Sequence, residues 1–214
     1  MKNFQKIAEG CNVLPLMCAV QQRPELWNQN TLRTTHPGTP HTEVSDIWLR
    51  FNDMQKAAAT GDAAYVMDEH ESIDYPAFGQ LPQARPLILG LMATVSGERL
   101  GRCLITKLAP GGKIAPHVDG GSHAAYYERF HIVLHGKTGS LFRAGDEVVE
   151  MKTGDIWWFD NSQEHEVANG SDDDRVHLIV DVRCPKIPME SRASTPGVIS
   201  PDGYGWVDAG GSNG

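Results

Sequence analysis

The sequence predicts a mainly β chain with flanking helices, its second half an antiparallel sandwich or jelly-roll barrel. Three observations carry that expectation. From about residue 102 to 185, apolar runs of strand length recur every 8–15 residues or so, separated by Gly, Asn and Asp. No helical periodicity interrupts these runs. Hydrophobic residues make up 40% and charged residues 21% of the 214, a composition that can bury a core.

The elements follow in chain order. SDIWLRF (Ser45–Phe51) alternates like a half-buried strand. RPLILGLMATVSGERLG (Arg85–Gly101) reads as a helix, because Leu87, Leu91 and Val95 recur every fourth residue and Pro86 suits a first turn. CLITKL then leads into APGGK, where Pro110 followed by Gly111 marks a type II turn. FHIVLHG, SLFRAG, DEVVEM, DIWWFD and RVHLIVDV supply further strands, with Gly154 turning the chain before DIWWFD. Residues 1–185 are therefore expected to form one domain, with a mixed α/β part (1–101) and a jelly-roll core (102–185). Residues 186–214 form a tail rich in Pro, Gly and Ser. Its last few residues are expected to be mobile, while Tyr204 and Trp206 argue that part of it docks.

Charge and cysteine usage narrow the function classes. A formal net charge of −8, with no Lys/Arg run to offset it, argues against gripping nucleic-acid phosphates. An amino acid, a peptide or a small polar metabolite is the easier partner. Cys11, Cys18, Cys103 and Cys184 are scattered without metal or disulfide spacing, as expected of reduced cytoplasmic thiols. CNVLPLMCAV is short, contains Pro and lacks a small-residue cleavage site, so it does not read as a secretion signal. Nothing approaches the ~20 apolar residues of a membrane helix.

The densest chemistry lies in His117–Leu134, HVDGGSHAAYYERFHIVL. Residues i and i+2 of an extended segment share a face, so His117 and Asp119 can present an imidazole and a carboxylate side by side. These are two-thirds of a 2-His-1-carboxylate triad, which holds Fe(II) and leaves positions open. His165, 46 residues after Asp119, is the best third ligand. Ten residues later comes Arg175, a planar fork suited to anchoring the far carboxylate of a 2-oxoacid. Along RVHLIVDV, Arg175, His177 and Ile179 share the face that can line a site, while Val176, Leu178 and Val180 share the face that packs. His123 and His135 are expected to be solvated or to support other groups, and His36, His41 and His70 carry no geometric argument. Trp157 and Trp158 point to opposite faces and are expected to be core, and Asp172–Asp174 a solvated turn.

With RFH (Arg129–His131), GDIWWFDN (Gly154–Asn161) and RVHLIVD (Arg175–Asp181), the run Cys103–Val182 resembles the aspartyl/asparaginyl β-hydroxylase family. That family belongs to the Fe(II)/2-oxoglutarate-dependent oxygenases and has a double-stranded β-helix, a jelly-roll, cupin-like fold. Asp119 brings the chain closer to the bacterial members and the related free-proline hydroxylases. The resemblance implies that His117, Asp119 and His165 bind iron and that Arg175 pairs with the C5 carboxylate of 2-oxoglutarate. It also implies that Thr106 places its hydroxyl against that carboxylate, and that Arg129 and His131 contact the 2-oxoacid end. The implied reaction consumes O2 and hydroxylates an unactivated C–H of an amino acid or peptidyl residue, releasing succinate and CO2. The alternative is a cupin-type metal-binding isomerase or ligand-binding module that turns over no 2-oxoglutarate.

Overall fold

A computed structural model of the chain describes residues 1–62, 65, 70–185, 197–199 and 206–208. The N-terminal elements are β1 (Phe4–Ala8), α1 (Leu14–Gln21), α2 (Leu32–Thr35), β2 (Val44–Phe51), α3 (Met54–Thr60), β3 (Ile73–Asp74), α4 (Pro76–Gln80) and α5 (Ala84–Thr94). There follow β4 (Arg99–Leu108), β5 (Lys113–His117), α6 (Gly121–Tyr126), β6 (Glu128–His135), β7 (Ser140–Ala144), β8 (Glu147–Glu150), β9 (Ile156–Phe159), β10 (His165–Asn169) and β11 (Arg175–Arg183). A short hairpin, β12 (Gly197–Ile199) and β13 (Trp206–Asp208), closes the order. Tyr204 lies outside the described residues.

Two antiparallel sheets face each other. One has seven strands in the order β1-β9-β6-β11-β4-β2-β3, and the other has four, β5-β10-β7-β8. From β4 to β11 the chain crosses between the sheets at every step except the β7–β8 hairpin, so it winds as a double-stranded β-helix, the jelly roll that the strand spacing predicts. The N-terminal part enters the same framework: β1 pairs with β9 at one edge of the large sheet, and β2 and β3 extend it beyond β4.

Alternation along the central strands decides what each face does. On β11, Val176, Leu178 and Val180 join Phe130, Ile132 and Ile105 in a buried cluster with Leu16, Ile88 and Leu91 of α1 and α5. The opposite face looks into the barrel, where Phe4, Phe142, Phe159, Val133 and Val167 form a second cluster. That interior is not wholly apolar. Thr106, His131, Arg175 and His177 are also buried, and buried polar groups of this kind need partners or a ligand. Trp157 and Trp158 are both core residues, each in a different cluster, as their opposite directions require.

Three local differences from the sequence reading have physical causes. The helix of Arg85–Gly101 stops at Thr94, because Ser96 takes a left-handed φ of 54° and Gly97 packs where a Cβ would lie 2.8 Å from Val182. The first barrel strand consequently begins at Arg99 rather than near 102. A single helical stretch, α6, interrupts the strands directly after Asp119. The APGGK turn forms as expected, with Gly111 at φ 76° and Gly112 N–H donating to the Ala109 carbonyl at 3.0 Å. At Gly154, φ is 86° and a Cβ would lie 3.1 Å from the Cys11 carbonyl, so glycine meets two requirements of this turn at once.

Candidate metal centre

The pairing of β5 with β10 sets His165 directly opposite His117. Asp119 follows two residues after His117, just beyond the strand, and its backbone N–H donates to the Asn161 carbonyl at 3.3 Å. One nitrogen from each imidazole and one Asp119 oxygen then lie within 4.8 Å of one another. His117 Nε2 is 3.9 Å from Asp119 Oδ1, and His165 Nε2 is 3.8 Å from Asp119 Oδ2.

Hydrogen bonding selects the tautomer of both rings. His117 Nδ1 lies 2.8 Å from the Ala115 carbonyl and His165 Nδ1 lies 3.0 Å from the Gln163 carbonyl. A carbonyl can only accept, so each Nδ1 carries a proton, and Nε2 is the nitrogen of each ring that can bind a metal. Burial, with the neighbouring His117, lowers the His165 pKa to about 4 against the opposing pull of Asp119, which keeps the ring neutral. Two imidazoles presenting Nε2 and one carboxylate fit a divalent first-row metal.

Asp119 is itself held. Arg129 Nη1 donates to Asp119 Oδ2 at 2.6 Å, while its Nε and Nη2 grip both oxygens of Asp181 at 2.8 and 3.0 Å. The β6–β11 register places Arg129 opposite Asp181. His123 Nε2 lies 3.1 Å from Asp181 Oδ2. Burial opposes both charges, yet Asp119 and Asp181 raise the Arg129 pKa, and Arg129 with His123 holds Asp181 well below the usual carboxylate range. His123 is thus a buried supporting residue, not a solvated one. Nothing near Asp181 in the sequence marks this role, because its partner Arg129 is 52 residues away and is brought to it by strand register.

Deeper in the barrel the pattern reverses. Arg175 is 4% exposed and no carboxylate pairs with it among the described residues. Its Nη2 donates to His177 Nδ1 at 3.2 Å, and the guanidinium sits 5.7 Å from the centre of the Phe142 ring. Burial alone lowers its pKa to about 9. His131 Nδ1 lies 3.1 Å from the same His177 nitrogen, and burial, with Arg175 nearby, keeps both rings neutral. Thr106 stands opposite His177 across β4 and β11, and both Thr106 and Arg175 line the same pocket as the three candidate ligands.

The pocket wall includes two residues without a sequence signal, Arg33 and His41. His41 packs edge-on against His117 with ring centres 4.9 Å apart. His135 and Asp172–Asp174 lie elsewhere: His135, Asp173 and Asp174 line a separate cavity against α1, and Asp172 reaches solvent beside Lys137.

Comparison with known proteins adds independent findings. A family model described as Aspartyl/Asparaginyl beta-hydroxylase matches residues 52–185. An L-proline cis-4-hydroxylase of Rhizobium meliloti (strain 1021) is 26% identical over 103 residues, which is 45% of this chain and 37% of that protein. The chain therefore spans little more than a third of that curated relative. Among solved structures, a prolyl-4-hydroxylase of Pseudomonas putida superposes with a TM-score of 0.48 and 18% identity, over 87% of this chain and 95% of the other. A 2OG-Fe(II) oxygenase family oxidoreductase of Burkholderia pseudomallei gives 0.47 and 14%, over 65% and 66%. No helix among the described residues is long and apolar enough to cross a membrane.

Proposed function

The chain belongs to the aspartyl/asparaginyl β-hydroxylase family, and from that premise we propose that it is an Fe(II)- and 2-oxoglutarate-dependent dioxygenase hydroxylating an amino acid or a peptidyl amino-acid residue. One observation supports this most: two imidazole nitrogens and a carboxylate oxygen converge within 4.8 Å, beside a buried guanidinium that no carboxylate pairs with among the described residues.

In this reading His117, Asp119 and His165 hold the iron through Nε2, a carboxylate oxygen and Nε2. The carbonyls of Ala115 and Gln163 fix the imidazole orientations, and Arg129 fixes that of Asp119, so the ligands are oriented before metal arrives. Arg175 pairs with the C5 carboxylate of 2-oxoglutarate, and Thr106 adds its hydroxyl. Arg129 and His131 face the 2-oxoacid end. Phe142 and Phe159 wall the pocket and exclude water. Bound Fe(II), with 2-oxoglutarate and O2, supplies the oxidising power for C–H hydroxylation, with succinate and CO2 as co-products.

The test is an anaerobic Fe(II)/2-oxoglutarate titration followed by a succinate-release screen across amino acids and short peptides. Wild type should show the visible charge-transfer band. His117→Ala should lose both band and succinate, and persistent turnover in that variant would discard the assignment. Arg175→Ala should raise the 2-oxoglutarate KM at least tenfold; an unchanged value would favour the cupin-type module instead.

A further inference from the structure

Every candidate ligand is aimed by a neighbour: the Ala115 and Gln163 carbonyls orient the two imidazoles, and Arg129 orients Asp119. On the outer face of the four-stranded sheet stands a charged group that none of these roles uses. Phe142 and Ala144 of β7 belong to the cluster inside the barrel, so Arg143 between them points outward. Its side chain is nonetheless only 9% exposed.

The whole guanidinium is engaged around His165. Nε donates to Glu166, Nη2 donates to Glu164 at 2.9 Å, and Nη1 donates to the Gly145 carbonyl at 2.9 Å. Glu164 and Glu166 are the residues on either side of His165. Strand register creates this arrangement, because β7 and β10 pair Arg143 with Glu166 and Ala144 with His165. The backbone adds a further tie, with Gly145 N–H donating to the Glu164 carbonyl at 2.8 Å.

The other neighbour of β10 holds it less regularly. Opposite His165 and Val167 stand His117 and Ile114, so the register slips and β5 bulges between them. The bulge contains Pro116, which has no N–H, and Ala115, whose N–H goes to Pro40. The direction of His165 is therefore set from the β7 side. Its ring is oriented by the Gln163 carbonyl, which lies in the peptide joining Gln163 to Glu164. Holding Glu164 by both its carbonyl and its carboxylate holds that peptide. A guanidinium fork reaches two carboxylates at once, which a lysine ammonium does not reproduce.

We propose that Arg143 is a positioning residue for the metal centre: from behind the sheet it clamps the two glutamates flanking His165 and thereby fixes where His165 Nε2 points. The inference rests on the oxygenase reading for the metal, and adds a residue that touches neither metal nor co-substrate. Groups that orient metal ligands from behind are worth about ten- to a hundredfold in metal affinity.

The experiment reads His165 without metal and then with Mn(II). Removing Arg143 alone would leave Glu166 without its cation, so the double variant R143M/E166Q is used. R143K is the conservative variant, and K137M, from the surface pairs with Asp172 and Asp173, is the control. Nitrogen NMR of the metal-free wild type at neutral pH should show His165 protonated at Nδ1. The double variant should show both tautomers. Its Mn(II) affinity, from the EPR signal of the free ion, should fall about tenfold or more. R143K should lose part of this, and K137M should match wild type. Should the double variant not fold, E166Q alone, which keeps the bond to Glu164, should move both readouts less and in the same direction. A wild-type tautomer and unchanged Mn(II) affinity in the folded variant would overturn the inference, and the turn from Asp160 to Gln163 would suffice to aim the ring. If wild type itself binds no Mn(II), the oxygenase reading falls, while the tautomer comparison still decides whether Arg143 aims His165.

Discussion

The barrel interior holds two polar regions that obey opposite rules. Around Asp181 every described charge is matched: Arg129 spans Asp119 and Asp181, and His123 closes the cluster. Around Arg175 a cation of similar burial has, among the described residues, a neutral imidazole and an aromatic face for company and no carboxylate. Burial is therefore not the distinction; pairing is. The matched cluster is a scaffold that stabilises the fold and aims Asp119. The unmatched arginine carries a standing desolvation cost that an incoming carboxylate would relieve.

The comparison can be broken from its strongest side first. Asp181→Ala should destabilise the protein by about 3–5 kcal/mol in urea unfolding, because it strands Arg129 and His123 in the interior. A loss under about 1 kcal/mol would mean that the cluster does not support the fold.

Acidification probes the ligand cluster that lies between the two regions. His165 has a pKa of about 4 in the folded chain and an ordinary value of 6.5. Between these values the unfolded chain binds the extra proton, so metal-free stability is full above pH 6.5 and falls as pH drops toward 4. At 1.36 kcal/mol per unit, His165 alone accounts for roughly 3 kcal/mol, and the buried His131 and His177 act in the same direction. Urea midpoints across that window measure it. A flat profile would place His165 in solvent.

The last two effects sharpen the contrast from the arginine side. Saturation with 2-oxoglutarate at a hundred times its Kd should stabilise wild type by about 2.7 kcal/mol, seen as a rise in Tm. Arg175→Met should abolish that rise while stabilising the ligand-free protein by about 1–2 kcal/mol. Destabilisation by this substitution would show that Arg175 already has its partner within the fold.

What could be read from the sequence was local. Alternation along RVHLIVDV assigned both faces of β11 correctly, and the spacing of His and Asp in HVD placed two of the three converging groups. Gly111 announced its turn through stereochemistry alone. What could not be read depended on contacts across the chain. Apolar periodicity continues through Val95, so the end of α5 is set instead by the packing of Gly97 against Val182. Arg33 and His41 sit in a Thr- and Pro-rich loop with no period, and bonds from β5 to Pro40 and Glu43, with Asp46 on β2, bring them to His117. Asp181 finds Arg129 because two strands are in register, a fact no window of neighbouring residues contains.

The pairing of Phe4 with Phe159 has a consequence for biosynthesis. The strand that seals one edge of the large sheet is made early, while its partner follows about 150 residues later. Until β9 has left the ribosome, Phe4 has no place in the core between the sheets. The barrel edge therefore cannot close before β9 is made, and a nascent chain stalled short of β9 would expose that strand to other proteins in the meantime.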